Sequence, residues 1–398
     1  MGGGIGGLTL ALALRQRGRD ADVYEQADEL AEIGAAVALS ANATRELRRL
    51  GVLDAIAAVS TEPSELIYRD GRSGRRIAAH PVHQGLRYQE RFGAPYYGVH
   101  RADLQRVLSG ALGGAGLHLG HRLAALDDHG DRITLAFGNG AVVEADAVVG
   151  ADGVRSAVRR WVTGGQGVTY SGTSAFRGIV PAARLPALPD PSAIQFWMGP
   201  GAHLLHYAIG GGGEDVNFFA VTEGPRVWPR EDKWVVEAAP GEAVAAFAGW
   251  HEAVTEMVGA GWVASRWGLF VVQQPRRWHR GRAVLLGDAA HAMLPHHGQG
   301  ANTTIEDAVT LAELLAALGP GGWDEAMARY GDLRRARTRK IQRSSWATNA
   351  ALHLPDGPAL AARDGRVSRF PEEFAWIHEH DATRAARSGT RQPAGTPA

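Results

Sequence analysis

Apolar positions follow first a helical and then an extended pattern in the opening part of the chain. Residues 8–18 carry apolar side chains at helical spacing and end at Gly18, which predicts a helix. Residues 20–25 then predict a short strand that ends in the acid Glu25. Further helices are predicted within 32–53, with Asn42 as the N-cap, and over 100–112.

Extended segments dominate the middle of the chain. Residues 133–137 form the clearest alternating strand, and a glycine-containing hairpin turn closes it. The runs 147–151 and 283–286 are almost entirely apolar, as buried parallel strands are. A separate antiparallel sheet is predicted within 168–222, with strands at 193–198, 203–209 and 216–221. Helices are predicted over 304–318 and 324–352, followed at the end of the chain by a frayed tail.

Composition narrows the class of protein. The 398 residues suffice for two or three domain-sized units, and the net charge near zero argues against a nucleic-acid or anionic-membrane partner. There is no cysteine, so disulfides and thiolate metal sites are excluded. His291, His296 and His297 lack the spacing of a zinc site, and we expect no metal. With no long apolar run and no signal-peptide pattern, we expect a cytoplasmic protein that does not enter a membrane.

The chain opens with a glycine-rich segment that fits Gly-x-Gly-x-x-Gly through Gly2, Gly4 and Gly7. Glycines allow a tight turn and a close backbone approach to a pyrophosphate, which the N-terminus of the next helix then faces. Glu25 follows Gly7 by 18 residues, near the roughly 20 expected for a ribose-binding acid. We therefore predict Glu25, rather than the acids that follow it, as the ribose ligand; a solvated loop acid is the alternative.

One expected element is absent before these glycines. The nucleotide-binding fold has a central buried strand there, and only Met1 precedes the motif. A missing central strand would leave buried backbone groups unpaired, at about 1–3 kcal/mol each. We therefore expect the true start to lie upstream; a fold without this strand is the alternative.

Two later motifs also follow buried strands. Asp152 and Gly153 come after 147–151, and Gly287 and Asp288 come after 283–286. Together with the glycine opening, in this order and at these separations, they resemble the flavin-dependent aromatic hydroxylases, also called class A flavoprotein monooxygenases. The resemblance spans nearly the whole chain and is greatest to the branch of salicylate, 3-hydroxybenzoate and 6-hydroxynicotinate hydroxylases.

The resemblance implies an FAD site built from distant segments. The opening glycines would hold the pyrophosphate, Arg101 would lie near the pyrophosphate and flavin, and Asp288 would bind the ribityl chain. Asp152 would serve both FAD and a transiently bound NADH or NADPH. The predicted FAD-binding residues are Gly2, Gly4, Gly7, Glu25, Ala36, Arg101, Asp152, Asp288, Gly300, Ala301 and Asn302. Ala36 stands where the family often has glycine, so the resemblance implies a methyl group against FAD at this position.

The resemblance also implies an α/β fold with three parts. A Rossmann-like FAD-binding domain would comprise 1–165 and 275–320, and an antiparallel β-sheet substrate domain 64–98 and 166–274. A C-terminal helical region would cover 321–385, followed by a flexible tail at 386–398. The assembly is expected to be a monomer or a homodimer.

Hydroxylation needs a group that takes the proton of a phenolic substrate. The segment 201–207 resembles the family's substrate sheet, and alternation places His203 and Tyr207 on one face and His206 on the other. We predict His206 as the first candidate base, with Tyr207 and His203 as alternatives; a structural histidine is equally open. In the predicted flavin loop, His296 and His297 are further candidates, and the segment 262–270 is predicted as core or pocket lining.

These features predict an FAD-dependent monooxygenase that hydroxylates a small aromatic or heteroaromatic substrate. It would use NAD(P)H and O₂ through a flavin hydroperoxide, as the resemblance implies. One alternative keeps the fold and acts on a polycyclic or polyketide substrate. The other is a degenerate, non-catalytic flavin-binding protein, suggested by the absent first strand.

Overall fold

A computed structural model describes residues 1–30, 36–83, 87–114, 116–230, 233–260 and 265–390. The strands are β1 (Val23–Tyr24), β2 (Ala36–Leu39), β3 (Ser60–Thr61), β4 (Glu65–Asp70), β5 (Arg76–Pro81), β6 (Tyr97–His100), β7 (Leu117–His118), β8 (Leu123–Asp128), β9 (Ile133–Phe137), β10 (Val142–Ala145), β11 (Val148–Gly150), β12 (Thr169–Pro181), β13 (Ile194–Gly199), β14 (Ala202–Ile209), β15 (Asp215–Glu223), β16 (Val235–Glu237), β17 (Ser265–Val271), β18 (His279–Arg280) and β19 (Ala283–Leu285).

The helices are α1 (Ile5–Arg15), α2 (Ala41–Arg49), α3 (Leu53–Ala57), α4 (Arg87–Phe92), α5 (Arg101–Leu112), α6 (Ala157–Thr163), α7 (Glu242–Ala246), α8 (Glu252–Ala260), α9 (Asp288–His291), α10 (Gln299–Leu318), α11 (Trp323–Leu352), α12 (Ala359–Val367), α13 (Phe370–Glu373), α14 (Ala375–His378) and α15 (Ala382–Thr390). No helix in these described ranges has the length and apolar character that a membrane span requires.

The largest sheet is eight-stranded, in the order β16-β17-β12-β15-β14-β13-β4-β5. Neighbours are antiparallel except β13 and β4, which are parallel. The three strands predicted within 193–221 are present as β13, β14 and β15. One face packs against α7 and α8 through a core that includes Trp197, Phe218, Phe247 and Met257. The opposite face carries Leu205 and Tyr207 toward two cavities.

Outside the eight-stranded sheet, β1 pairs with β7 and β11 pairs with β19, both in parallel. Met1 and Gly2 lie between these pairs: Met1 donates from its amino group to Val149 O at 2.7 Å, and Gly2 N donates to Tyr24 O at 2.8 Å. Ala151 N donates to Met1 O. The first two residues therefore connect the pairs at the position where a Rossmann-like sheet has its central strand.

Two helices begin earlier than the sequence pattern predicted. α1 starts at Ile5 rather than residue 8, so Gly6 and Gly7 lie inside it, where a Cβ on Gly7 would stand 2.0 Å from Gly2 O. α10 starts at Gln299 rather than 304, directly after Gly298 with φ of 63°. In both places the glycines that interrupt the apolar pattern are needed for close backbone approach or for a left-handed turn.

The N-cap of α2 and the start of the C-terminal tail differ from prediction. Ser40, not Asn42, is the N-cap of α2, because the Asn42 amide is buried and donates to Gln299 and Glu306. The predicted flexible tail begins too early, since α15 continues to residue 390. Ala386 is fully buried there and Arg387 bonds to Glu313. Residues 391–398 lie outside the described ranges.

A buried group of charges joins the long helices α10 and α11. Glu306 pairs with Arg334 and with Arg337, each at 2.7 Å, and Arg334 Nε also donates to Asp307 at 2.6 Å. Burial opposes ionisation of Glu306, but Arg337 and Arg334 outweigh it and hold the pKa of this carboxyl well below 4.5. Removing one member of such a group leaves opposite charges buried without full compensation.

Replacing Glu306 with Gln is expected to lower the free energy of unfolding by about 3 kcal/mol at neutral pH. Because the folded-state pKa is lowered, the advantage of the wild type is complete above pH 4.5 and shrinks as the pH falls through the folded value. Urea unfolding of both proteins across this range measures the difference. The exposed Glu379→Gln variant is the control, and a difference independent of pH would contradict the assigned ionisation.

Candidate active site

The first cavity has a volume of about 290 Å³. Its walls come from the glycine opening, β2, the start of α5, the ends of β11 and β19, and the start of α10. The lining residues include Gly4, Ile5, Gly6, Ala36, Val37, Ala38, Arg101, Ala151, Gly153, Leu286, Gly287, Asp288, Gly298, Gly300, Ala301 and Thr304. Segments that are far apart in sequence thus line one cavity.

The N-terminus of α1 is shaped to admit a ligand. A Cβ on Gly2 would stand 2.3 Å from Ala151 O, so Gly2 and Gly7 are needed for backbone packing. Gly4 differs, because a Cβ there would meet nothing within 4 Å and would project into open space beside the cavity. The free N–H groups of a helix N-terminus favour an anion at such a position.

A second cavity, of about 410 Å³, adjoins the first and shares Ala38, Leu205, Tyr207 and Gly298 with it. Its walls are mainly aromatic. They include Tyr68, Tyr88, Phe92, Tyr96, Phe196, Phe370 and Phe374, together with the imidazoles His80, His296, His297 and His378 and the charged pair Arg91 and Glu372. Its size suits a small organic ligand.

Three tyrosine side chains offer hydroxyl groups to this second cavity. No hydrogen bond is recorded within the described ranges for the hydroxyls of Tyr68, Tyr96 and Tyr207. Burial, and then the neighbouring Tyr96 hydroxyl, raises the pKa of both Tyr68 and Tyr207, and burial alone raises that of Tyr96. The three phenols therefore stay protonated at neutral pH and can donate hydrogen bonds to a ligand.

The histidines of the second cavity differ in their bonding. His80, His297 and His378 bond to Val367 O, Ser344 Oγ and Tyr88 OH, respectively. Neither ring nitrogen of His296 has a hydrogen bond of normal geometry to a described residue. Burial lowers the pKa of His296 well below its usual value, and the imidazoles of His353 and His297 add to this. The Asn349 side chain beside it partly offsets this lowering, and His296 is a neutral imidazole.

Comparison with known proteins places this geometry in a family. A family model described as an FAD binding domain matches residues 1–345. The chain is 40% identical to the 3-amino-4-hydroxybenzoate 2-monooxygenase of Streptomyces cremeus, covering 96% of this chain and 94% of that protein. It is 34% identical to the 6-hydroxynicotinate 3-monooxygenase of Pseudomonas fluorescens, covering 87% and 89%. A salicylate hydroxylase substrate complex superposes with a TM-score of 0.84 at 26% identity, covering 99% and 97%.

The chain belongs to the FAD-dependent aromatic hydroxylases. The first cavity fits FAD by its donor set: a helix N-terminus with open space at Gly4, and a carboxylate at Asp288. Asp288 begins α9 after Gly287, whose φ of 65° favours glycine. No hydrogen bond to the Asp288 carboxylate is recorded among the described residues, so it keeps its acceptor capacity for a hydroxyl group.

The other predicted FAD residues divide into those that line the first cavity and those that hold its walls. Ala36, Arg101, Gly300 and Ala301 line it, as do Gly4 and Asp288. Asn302 is buried outside it and holds the wall, since it accepts from Ser40 N and donates to Ala38 O and Gly298 O.

The carboxylates of Glu25 and Asp152 accept hydrogen bonds from backbone N–H groups. Glu25 accepts from Gly3 N at 2.7 Å and from Ala27 N at 2.9 Å, so it holds the glycine opening. Asp152 accepts from Ala157 N and Val158 N at the start of α6, while Ala151 and Gly153 reach the cavity instead. Whether either acid also meets FAD stays a prediction.

Sequence reasoning missed several residues that shape the two cavities. Gln105 donates from Nε2 to Gly3 O at 2.7 Å, and Thr304 lies against Gly6 and Gly287. Tyr68 and Tyr96 come from β4 and the loop before β6, and no local motif marks either residue. Of the predicted segment 262–270, residues 262–264 lie outside the described ranges.

The first candidate base, His206, does not reach either cavity. It is fully buried on the opposite face of β14, where its ring lies 6.4 Å from that of Trp197. Burial, and then the nearby charge of Arg69, lowers the pKa of His206 to about 3. Alternation along β14 points Tyr207 toward the cavities and His206 away from them. His296 and Tyr207, which line the second cavity, therefore replace His206 as candidates for the proton-accepting group.

Gly4 and Gly7 of the glycine opening are expected to contribute to different properties, FAD binding and fold stability, which substitutions can separate. Gly4→Ala is expected to weaken FAD binding about tenfold or more, with little loss of apoprotein stability, because its methyl group enters only the cavity. Gly7→Ala is expected to destabilise the fold itself by about 1–3 kcal/mol, because its methyl group meets Gly2 O. Flavin titration and urea unfolding of the apoprotein separate the two effects.

Gly110→Ala is the matched control, because Gly110 is exposed in α5 and an added methyl group would meet no atom within 4 Å. It should leave FAD affinity unchanged and slightly stabilise the helix. Wild-type FAD affinity in Gly4→Ala would refute the assignment of the glycine opening to the cofactor.

Proposed function

We propose that this FAD-dependent aromatic hydroxylase acts on a single-ring hydroxybenzoate that carries an amino group, such as 3-amino-4-hydroxybenzoate, with NADH or NADPH as reductant. The observation that carries the proposal is the second cavity, where protonated tyrosine hydroxyls and the neutral imidazole of His296 line a space that adjoins the first cavity. A cytoplasmic location and a monomeric or homodimeric state stay predictions.

The walls of the second cavity suit one flat aromatic ring. The rings of Tyr68 and Phe196 stack with centroids 5.2 Å apart, and Phe370 meets Tyr68 edge-on at 5.4 Å. An aromatic substrate gains offset or edge-to-face contacts against such surfaces. The relatives named above have single-ring substrates in their names, which favours this class over the polycyclic alternative.

An anionic substituent matches the polar groups of this cavity. The hydroxyls of Tyr68, Tyr96 and Tyr207 can donate to a carboxylate, and hydrogen bonds to charged groups contribute about 1.5–3 kcal/mol each. Arg91 also lies at the cavity wall, but it pairs with Glu372 of the same wall at 3.4 Å, so their charges offset each other. Carboxylate binding would therefore rest on the neutral tyrosine donors.

In this proposal His296 takes the proton of the substrate hydroxyl. A ring nitrogen of the neutral imidazole accepts it, and the aromatic ring becomes more electron-rich as the O–H bond breaks. Burial disfavours the resulting imidazolium, but the adjacent phenolate stabilises it by charge attraction. Tyr207, which stays protonated, would orient the oxygen rather than remove its proton.

When bound in the first cavity, FAD supplies electron transfer from the nicotinamide and activation of O₂. The residues that would hold it are those of the glycine opening, with Arg101, Asp288, Gly300 and Ala301 along the wall. The aromatic lining of the adjoining cavity excludes water from the reacting ring, which limits wasteful peroxide release.

A substrate panel tests the proposal directly. The FAD-loaded protein is mixed with NADH or NADPH and 3-amino-4-hydroxybenzoate, 6-hydroxynicotinate, salicylate or 3-hydroxybenzoate, and hydroxylated product is quantified against O₂ consumed. We expect coupled product formation to be highest with 3-amino-4-hydroxybenzoate. Peroxide without product from every benzoate would refute the proposed substrate class.

Removing one hydroxyl at a time tests recognition of the anion. Tyr96→Phe is expected to raise KM for the preferred substrate about tenfold or more through a lost charge-assisted hydrogen bond, with a smaller change in kcat. Tyr24→Phe is the control, because Tyr24 packs between His118 and Phe137, away from both cavities. Equal KM values in Tyr96→Phe and wild type would show that the hydroxyl does not contact the substrate.

A further inference from the structure

The second cavity meets solvent on one side, where three elements of the fold come together. Most of the residues that line it are buried or half-buried, but Pro81, Arg91 and Glu372 are exposed. Pro81 ends β5, Arg91 belongs to α4 and Glu372 belongs to α13. The cavity wall is therefore thinnest between these three elements.

An ion pair lies across this side of the cavity. Arg91 donates from its guanidinium to Glu372 at 3.4 Å, and the two side chains are 40% and 66% exposed. The guanidinium also lies over the ring of Phe92, 5.0 Å from its centroid, and that ring lines the cavity. Arg91 thus stands between the solvent and the aromatic wall.

The helices behind the ion pair are held by buried contacts of their own. Tyr88 OH lies 2.7 Å from His378 Nδ1, and the ring of Phe92 lies 5.4 Å from the ring of His378. These contacts join α4 to α14, which follows directly after α13. Exposed ion pairs contribute little to stability. Arg91 can therefore leave Glu372 while the helices stay in place.

We propose that the substrate enters the second cavity between α4 and α13, and that Arg91 exchanges the carboxylate of Glu372 for that of the incoming aromatic acid. This inference rests on the function proposed above, in which the substrate is an anionic single ring. A guanidinium binds either carboxylate with the same charge-assisted geometry. Once the ring has moved inward to the tyrosine donors, Arg91 returns to Glu372.

This exchange makes the entrance selective for anions. A neutral ring of the same shape has no group that replaces Glu372 on Arg91, so it gains nothing from the guanidinium during entry. A charge at the rim of a site affects the association rate more than the final affinity. Glu372 has the opposite effect to Arg91, because it competes with the substrate for the guanidinium.

Matched probes that differ only in charge test the exchange. The FAD-loaded protein is mixed in a stopped-flow instrument with 3-amino-4-hydroxybenzoate or its neutral amide, 3-amino-4-hydroxybenzamide, without nicotinamide. Binding is read from the change in flavin absorbance. Arg91→Gln is expected to slow association of the benzoate about fivefold or more and to leave that of the amide within about twofold of wild type. Glu372→Gln is expected to speed association of the benzoate.

Arg132→Gln is the matched control for the loss of an exposed arginine. Arg132 also faces a glutamate across an exposed ion pair, Glu144 at 3.7 Å, and neither residue lines either cavity. Both probes should associate with this variant at the wild-type rate. The difference between Arg91→Gln and Arg132→Gln then reports the entrance rather than the net charge of the protein.

A bulky label tests where the entrance lies. The chain has no cysteine, so Arg91→Cys offers a single thiol for a maleimide dye. The label is expected to slow association of both probes severalfold, because it obstructs the space between α4 and α13. Labelled Arg132→Cys is the control and should bind both probes at the rate of the unlabelled protein. Flavin absorbance and circular dichroism confirm that the labelled proteins are folded and loaded.

The outcomes separate the two proposals. Arg91→Gln that binds the benzoate at the wild-type rate would overturn the carboxylate exchange, and labelled Arg91→Cys that binds both probes at the unlabelled rate would overturn the entrance. Product formation from the benzoate would leave the proposed function standing in both cases. Association that depends on Arg91, in a wild type that forms no product from any benzoate, would support the entrance and overturn the proposed function. Wild-type protein that binds neither probe would overturn both.

Discussion

One buried carboxylate, Asp307, holds together the parts of the molecule that enclose the FAD cavity. It accepts hydrogen bonds from Gly287 N at 2.9 Å, from His291 at 2.6 Å and from Arg334 at 2.6 Å. Those partners belong to the turn after β19, to α9 and to α11, while Asp307 itself lies in α10. Burial opposes its ionisation, but His291 and Arg334 outweigh this and lower its pKa. The position of Asp288, one residue after Gly287, depends on this junction.

A second constraint is the alternation of side chains along β14. Because successive residues of a strand point to opposite faces, Leu205 and Tyr207 turn toward the two cavities. Leu204 joins the core beneath α7 and α8, and His206 lies on that same face. One strand thus supplies both part of the cavity walls and part of the packing that keeps the sheet in place.

The candidate active site of this hydroxylase consists of two adjoining cavities. The first is built from backbone turns and helix starts, which recognise a cofactor through its phosphates and hydroxyls. The second is built from side chains of the large sheet and of the C-terminal helices, which suit an aromatic ring by contact and a polar substituent by hydrogen bonds. Tyr207 and Gly298 line both cavities, so a ligand in one would lie next to a ligand in the other.

Local patterns were enough to predict much of the fold and part of the FAD cavity. The predicted strand 133–137 coincides with β9, and the predicted helix 100–112 matches α5 except for its first residue, because these patterns depend on neighbours in sequence. The glycine opening and the Gly-Asp motif after a buried strand marked Gly4 and Asp288, and both residues line the first cavity.

The substrate side could not be predicted in the same way. Alternation separated His206 from Tyr207 but could not say which face would be covered by α8 and which would meet a cavity. Tyr68 and Tyr96 lie in different elements, and only packing brings them to one cavity. The sequence by itself therefore determined the elements and the cofactor motifs, which rest on short-range backbone geometry. The tertiary structure alone decided the second cavity and the residues that line it, because these depend on long-range contacts that no local pattern encodes.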